Sequence, residues 1–197
     1  MARVVLLHHA LGLTPGVTDL AERLSRGGHE VATPDLFDGH VPATLQEGLA
    51  IAGELGDDHM ESVARTAGEE AGPGVVWAGI SLGVSVAQRI VQTTPGAGGA
   101  VLLEAALPVS GEWAIGPWPA GVPVQIHGMD RDEFFALEGD VDAAREIVAT
   151  AGPSVAELFV YPGDAHLFTD SSLPQFDAAA TDLVVERVRR LLERVGE

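Results

Sequence analysis

Gly79-Ile80-Ser81-Leu82-Gly83 is the stretch of this chain best placed to do chemistry. The apolar run Val75–Ala78 before it reads as a buried strand, and Val84–Gln92 after it has helical character. Strand, G-x-S-x-G, helix is the layout of a nucleophile elbow, a sharp turn that lifts a serine hydroxyl clear of a sheet. Glycine is needed two residues either side, because a side chain there would collide with the neighbouring strand or helix. A serine hydroxyl is a weak nucleophile at neutral pH. It needs a base within hydrogen-bond reach, and the base needs an orienting acid. Both lie downstream. His166 lies in Tyr161–Phe168, a loop after an apolar run, where a movable imidazole is expected. Asp130 and Asp132 lie together in His127–Phe134, and spacing alone does not choose between them. Nucleophile, acid and base in this chain order suit acyl transfer. Without such partners the motif would be one more glycine-rich loop in a chain with 24 glycines.

These residues must be held by a scaffold, and the pattern around them indicates one. Strands are expected over Arg3–His8, Glu30–Thr33, Val75–Ala78, Gly99–Glu104, Val122–His127 and Val155–Val160. Helices are expected over Val17–Arg26, in two pieces over Ala43–Ala71 broken near Gly56-Asp57-Asp58, over Val84–Gln92, Val141–Ala151 and Phe176–Val195. In the last of these, Val184, Val188, Leu191, Leu192 and Val195 recur at helical spacing and form a docking face. Strands alternating with helices imply an α/β fold, a mainly parallel sheet with helices on both faces. Sites in such sheets form beyond the carboxyl ends of the strands. His8 and His9, Ser81, Asp130 and Asp132, and His166 all come after strands, so all fall on that edge. Pro108–Ala120, rich in Trp, Pro and Gly, is expected to be irregular; Trp113 and Trp118 there could wall an acyl pocket or cover a sheet edge.

Composition narrows the function classes. The 197 residues suit one domain, 1–197, and 46% are hydrophobic, enough for a substantial core. Cysteine is absent, which excludes disulfides, thiolate metal sites and a cysteine nucleophile. Lysine is absent too, which excludes Schiff-base and P-loop chemistry. A formal net charge of −18 disfavours nucleic acid and anionic lipid as partners. No apolar run is long enough to span a membrane, and the N-terminus reads as a strand rather than a signal peptide, so a cytoplasmic location is expected.

With these residues in view, the sequence resembles the dienelactone hydrolase family of the α/β-hydrolase superfamily. Val4–Gly12 resembles its first core strand and oxyanion loop, Thr33-Pro34-Asp35-Leu36-Phe37 its P-D-L-Y/F stretch, and Gly79–Gly83 its elbow. His127–Phe134 resembles its acid loop, Tyr161–Phe168 its histidine loop, and Gln175–Ala180 the start of its last helix. The resemblance spans nearly the whole chain. It implies a single α/β-hydrolase domain with Ser81, Asp132 and His166 as catalytic triad. Asp132 is favoured over Asp130 because the family's acid lies five residues after the strand-end His and two before a Phe. The resemblance also implies an oxyanion hole from the Leu82 N–H and a second N–H from the first loop, Ala10 with Leu11 as the neighbouring candidate.

Three departures bear on the substrate. The family's elbow cysteine is Ser81 here. The position of its first-loop glutamate is His9. An arginine that holds the substrate carboxylate four residues past the catalytic His is Asp170, and an acid facing the pocket would repel such a group. The expectation is therefore a hydrolase of small carboxylic esters or lactones acting through an acyl-enzyme, with His9, Leu11 and Trp113 as pocket candidates. Because adjacent residues at a strand end point opposite ways, at most one of His8 and His9 is expected to face the pocket, with His9 favoured. No cofactor is required. A metal site from His9, His166 and a carboxylate is the lesser reading, because the ordered triad accounts for those residues without it. The competing class is a non-catalytic α/β-hydrolase-like domain used for binding or assembly.

Overall fold

The computed structural model describes residues 1–196. Six strands, β1 (Arg3–Leu7), β2 (Glu30–Ala32), β3 (Val76–Ile80), β4 (Gly99–Leu103), β5 (Val124–Met129) and β6 (Ala156–Tyr161), form one sheet in the order β2-β1-β3-β4-β5-β6. Every neighbouring pair is parallel. The central strands are buried on both faces, which is why β3 and β4 read as continuous apolar runs rather than alternating ones, while β5 buries Gln125 and His127 against Glu157 and Tyr161 of β6. Side chains still alternate across the sheet. Val4 and Leu6 of β1 and Val76, Ala78 and Ile80 of β3 point to one face, packed under α1 (Pro15–Ser25) and α6 (Ala178–Val195). Val5, Leu7 and Trp77 point to the other, under α2 (Leu45–Leu55), α3 (Asp57–Ala71), α4 (Leu82–Thr93) and α5 (Asp140–Ala151). Two cores sandwich one sheet, as the alternating pattern requires.

Local chemistry sets where elements start. α1 begins two residues earlier than the apolar spacing implies, because Thr14 caps it by accepting from Val17 N and Pro15 supplies a preset φ at the first helical position. α6 starts at Ala178 rather than Phe176, because Asp177 accepts from Ala180 N as its N-cap. β5 starts after Pro123, which has no N–H for a ladder; its carbonyl still accepts from Ala100 N. A π-helical turn, Glu133–Leu137, comes after β5 and has no counterpart in the sequence pattern. Among the described residues no helix is long and apolar enough to cross a membrane.

The strand order reverses direction between β1 and β3. From β1 the chain moves outward to β2, and from β3 it moves outward the other way to β6. Loops leaving adjacent strands in opposite directions open a crevice at their carboxyl ends. The loop after β1 carries Ala10, and the turn after β3 carries Ser81.

Candidate active site

Ser81 joins β3 to α4 with φ 49° and ψ −110°, a backbone conformation disfavoured for a residue with a side chain. The flanking glycines make that turn possible. A Cβ on Gly79 would overlap the Gly83 carbonyl and crowd Val84 N, and a Cβ on Gly83 would overlap the Leu7 carbonyl of β1 and lie 2.8 Å from His8 O. The turn is thus packed against both its own helix and the next strand. The strain is concentrated where the hydroxyl emerges.

His166 meets that hydroxyl. Ser81 Oγ lies 2.9 Å from His166 Nε2, and His166 Nδ1 lies 2.8 Å from Asp132 Oδ2. Asp132 is fully buried, and its Oδ1 accepts from Phe134 N at 2.9 Å, which caps the π-helical turn and fixes the carboxylate. Asp130 does other work: its Oδ1 accepts from Gly163 N at 2.9 Å and lies 3.4 Å from Arg131, tying the two loops together at the surface. Burial alone would lower the His166 pKa. The hydrogen bond to Asp132 and the negative charges of Glu104, Asp132 and Asp140 outweigh it and raise the imidazole above its ordinary value. Nδ1–H donating to Asp132 leaves Nε2 free to accept the serine proton, the geometry of a base held in the working tautomer.

The crevice beside Ser81 is a cleft of about 250 Å³. That is at or below the low end of the roughly 300–1,000 Å³ of pockets for drug-sized ligands, so it suits a small substrate. Ala10 and Leu82 both line it. Neither amide donates to a protein acceptor among the described residues, and Leu82, first in α4, has no intrahelical partner to offer. Leu45 and Leu49 of α2 and Phe134 form a partly exposed apolar wall, with the Phe134 ring 4.6 Å from that of His166.

The structure places the three expected pocket residues elsewhere. His9 is wholly buried behind the loop: its Nε2 donates to Asp170 Oδ2 at 2.8 Å and its Nδ1 accepts from Leu11 N at 3.2 Å. Leu11 is half-buried and packs against the core under α1 and α6. Trp113 is 84% exposed and outside the cleft, while Trp118 is buried and donates to the Val122 carbonyl at 2.9 Å. His8 also turns inward, donating to His9 O at 2.8 Å and accepting from Leu36 N at 2.9 Å; burial lowers its pKa. Both histidines are spent on shaping the loop that carries Ala10, because a loop between two buried elements has polar backbone groups that need partners.

Asp170 likewise does not face a substrate. It is fully buried, accepting from His9, from the Thr14 hydroxyl and from Ser172 N and Oγ at 2.8 and 2.6 Å. Burial pushes its carboxyl up, but the hydrogen bonds from His9, Ser172 and Thr14 more than offset that and bring it down to about 2. It locks the loop after β1 to the loop after His166. Among the described residues no group of three or more His, Asp or Glu could hold a metal ion.

Sequence reasoning missed Glu104, which comes directly after β4 and lines the cleft while wholly buried. Its signal was present: a charged residue ends the apolar run Ala100-Val101-Leu102-Leu103 on the same edge as the others. Asp140 and Glu138 line the cleft as well, and α2, far away in sequence, supplies its wall.

Known structures share this architecture. A dienelactone hydrolase-like promiscuous phosphotriesterase from metagenomic libraries superimposes with a TM-score of 0.76 at 18% identity, over 99% of this chain and 87% of that one. A cold-adapted esterase from an Arctic intertidal metagenomic library gives 0.64 at 20% identity, over 97% and 83%. A phospholipase/carboxylesterase from Dyadobacter fermentans DSM 18053 gives 0.64 at 19% identity, over 95% and 89%. Comparison with curated proteins finds no match. At these identities the structures establish the α/β-hydrolase-like fold; the sequence itself matches the family over residues 1–196, and the chain belongs to the dienelactone hydrolase family.

Proposed function

We propose that this member of a hydrolase family cleaves small carboxylic esters or lactones through Ser81, His166 and Asp132, by way of an acyl-enzyme. The observation that carries this reading is the continuous line Ser81 Oγ–His166–Asp132, at 2.9 and 2.8 Å, ending at an open cleft. Ser81 attacks the carbonyl carbon while His166 Nε2 takes its proton. The oxyanion is received by the N–H groups of Leu82 and Ala10, where losing one donor typically costs about 3–4 kcal/mol of barrier. His166 then gives its proton to the leaving alcohol. Water, deprotonated by the same nitrogen, attacks the acyl carbon and releases the acid. Asp132 holds the imidazole and stabilises its charged form.

A binding or assembly role for the domain would leave no reason for a serine to be held in strained backbone against an oriented imidazole. The test is turnover of a short-chain nitrophenyl ester by the wild type and by Ser81→Ala. The expected outcome is loss of turnover to background in the variant; wild-type rates in a folded Ser81→Ala protein would contradict the mechanism.

A further inference from the structure

The cleft beside Ser81 carries a charge pattern that the mechanism does not need. Three carboxyl groups line it, Glu104, Asp140 and Glu138, and among the described residues no arginine does so, His166 being the one basic group there. Asp132 and His166 occupy each other, so those three are surplus to the triad.

Glu104 is the most informative of them. It is 0% exposed yet borders the cleft. Its Oε1 accepts from Thr169 N at 3.3 Å and Thr169 Oγ1 at 3.0 Å, while its Oε2 is buried with no partner among the described residues. A buried carboxyl oxygen without a donor is costly and rare in a folded protein. Its backbone is also strained, with φ 66° at the carboxyl end of a central strand. Two costs at one residue, beside the nucleophile, are the mark of a group kept for a ligand. Burial raises the Glu104 pKa, and burial likewise raises that of Asp140, whose carboxyl accepts from Ala106 N at 3.1 Å. A donor cation arriving at these groups would relieve the penalty.

Resting on the esterase reading above, we propose that the cleft selects esters carrying a primary ammonium group, whose arrival turns the covered Glu104 Oε2 toward the cleft to accept from it, with Asp140 as the second acceptor. The apolar wall of Leu45, Leu49 and Phe134 covers the hydrocarbon between the ammonium and the ester. The same carboxyl groups exclude substrates that bear a carboxylate. They replace, from a different part of the fold, the repulsion that buried Asp170 cannot exert.

The test compares matched esters. On the acyl side they are p-nitrophenyl 6-aminohexanoate, its neutral counterpart p-nitrophenyl heptanoate, and the anionic adipate monoester. On the alcohol side they are 6-aminohexyl and heptyl butanoate, monitored by acid release. Assays at about 0.5 M salt screen the surface charge of the molecule, leaving the local groups. In at least one of the two pairs, kcat/KM for the ammonium ester should exceed that of its neutral counterpart by about tenfold or more, as expected for hydrogen bonds to a charged group. The adipate monoester should be the poorest of its series. Glu104→Gln should collapse the ammonium-to-neutral ratio toward one, and Asp140→Asn should reduce it, whatever either does to the absolute rate. Equal kcat/KM for ammonium and neutral esters in both pairs, or a wild-type ratio retained in folded Glu104→Gln, would overturn the proposal while leaving the esterase reading intact. Absence of turnover for every ester, together with no labelling of Ser81 by a fluorophosphonate, would remove both.

Discussion

At the scale of single residues, His166 sets the pH dependence expected of the proposed chemistry. The base must be neutral to accept the Ser81 proton, and its pKa is raised above the ordinary 6.5. So kcat/KM for a neutral ester should fall with acidification through a midpoint above 6.5, read from a pH–rate profile. Asp132→Asn removes the strongest of the interactions that raise it, so the midpoint should move to lower pH and kcat should drop by about 10⁴. Asp170 affects stability rather than chemistry. Its carboxyl has a folded pKa of about 2 against an ordinary 3.8. A folded value below the unfolded one means the stabilisation is fully present above about pH 4 and is lost as the pH falls toward 2. Asp170→Asn should cost about 2–4 kcal/mol in denaturant unfolding at neutral pH, since several hydrogen bonds to a charged acceptor are weakened at once. Part of the variant's acid sensitivity should vanish with it.

Between residues and the whole fold, elements position the site by close backbone contact. α4 approaches β1 closely enough that Gly83 has no room for a methyl group. α2 approaches the loop after β1 closely enough that a Cβ on Gly48 would overlap the Ala10 carbonyl. Gly83→Ala should therefore force α4 away from β1, destabilising the protein by about 1–3 kcal/mol and moving Ser81 out of line with His166. Unfolding and ester turnover measured on one preparation would check both effects, and the loss of turnover should far exceed what the unfolded fraction explains. The elements themselves were legible in the sequence because β3 and β4 are buried on both faces and are apolar throughout, and because apolar residues of α6 must recur every three to four positions. Their boundaries depended on capping side chains such as Thr14 and Asp177, which act over three residues and leave no periodic trace. The π-helical turn after β5 depends on the Asp132 carboxylate binding Phe134 N. Only the folded loop reveals that bond.

Across the molecule, the parallel sheet brings residues 81, 132 and 166 to one edge; the order along the chain is enough to expect a serine, an acid and a histidine there, while the family resemblance, not spacing, favours Asp132 over Asp130. The pocket residues were harder to read, for a definite reason. Periodicity and motif spacing report which residues leave the end of a strand, but not which way a side chain turns when a loop folds back on itself. His9 lies past β1 at the correct edge, and the buried Asp170 draws it inward. Glu104 ends β4 like an ordinary solvent-facing residue, and the Thr169 segment closes over it. Leu45 and Leu49 reach the cleft from a helix about 35 residues before Ser81, with nothing local to announce them. The central claim is that this assembled edge activates Ser81 as a nucleophile. The most direct measurement is mass-spectrometric mapping of the adduct formed by a fluorophosphonate on the folded protein. The account predicts one stoichiometric adduct, on the peptide containing Ser81, and its near-absence in His166→Ala. Labelling at another residue, or no adduct on a folded wild-type protein, would contradict it.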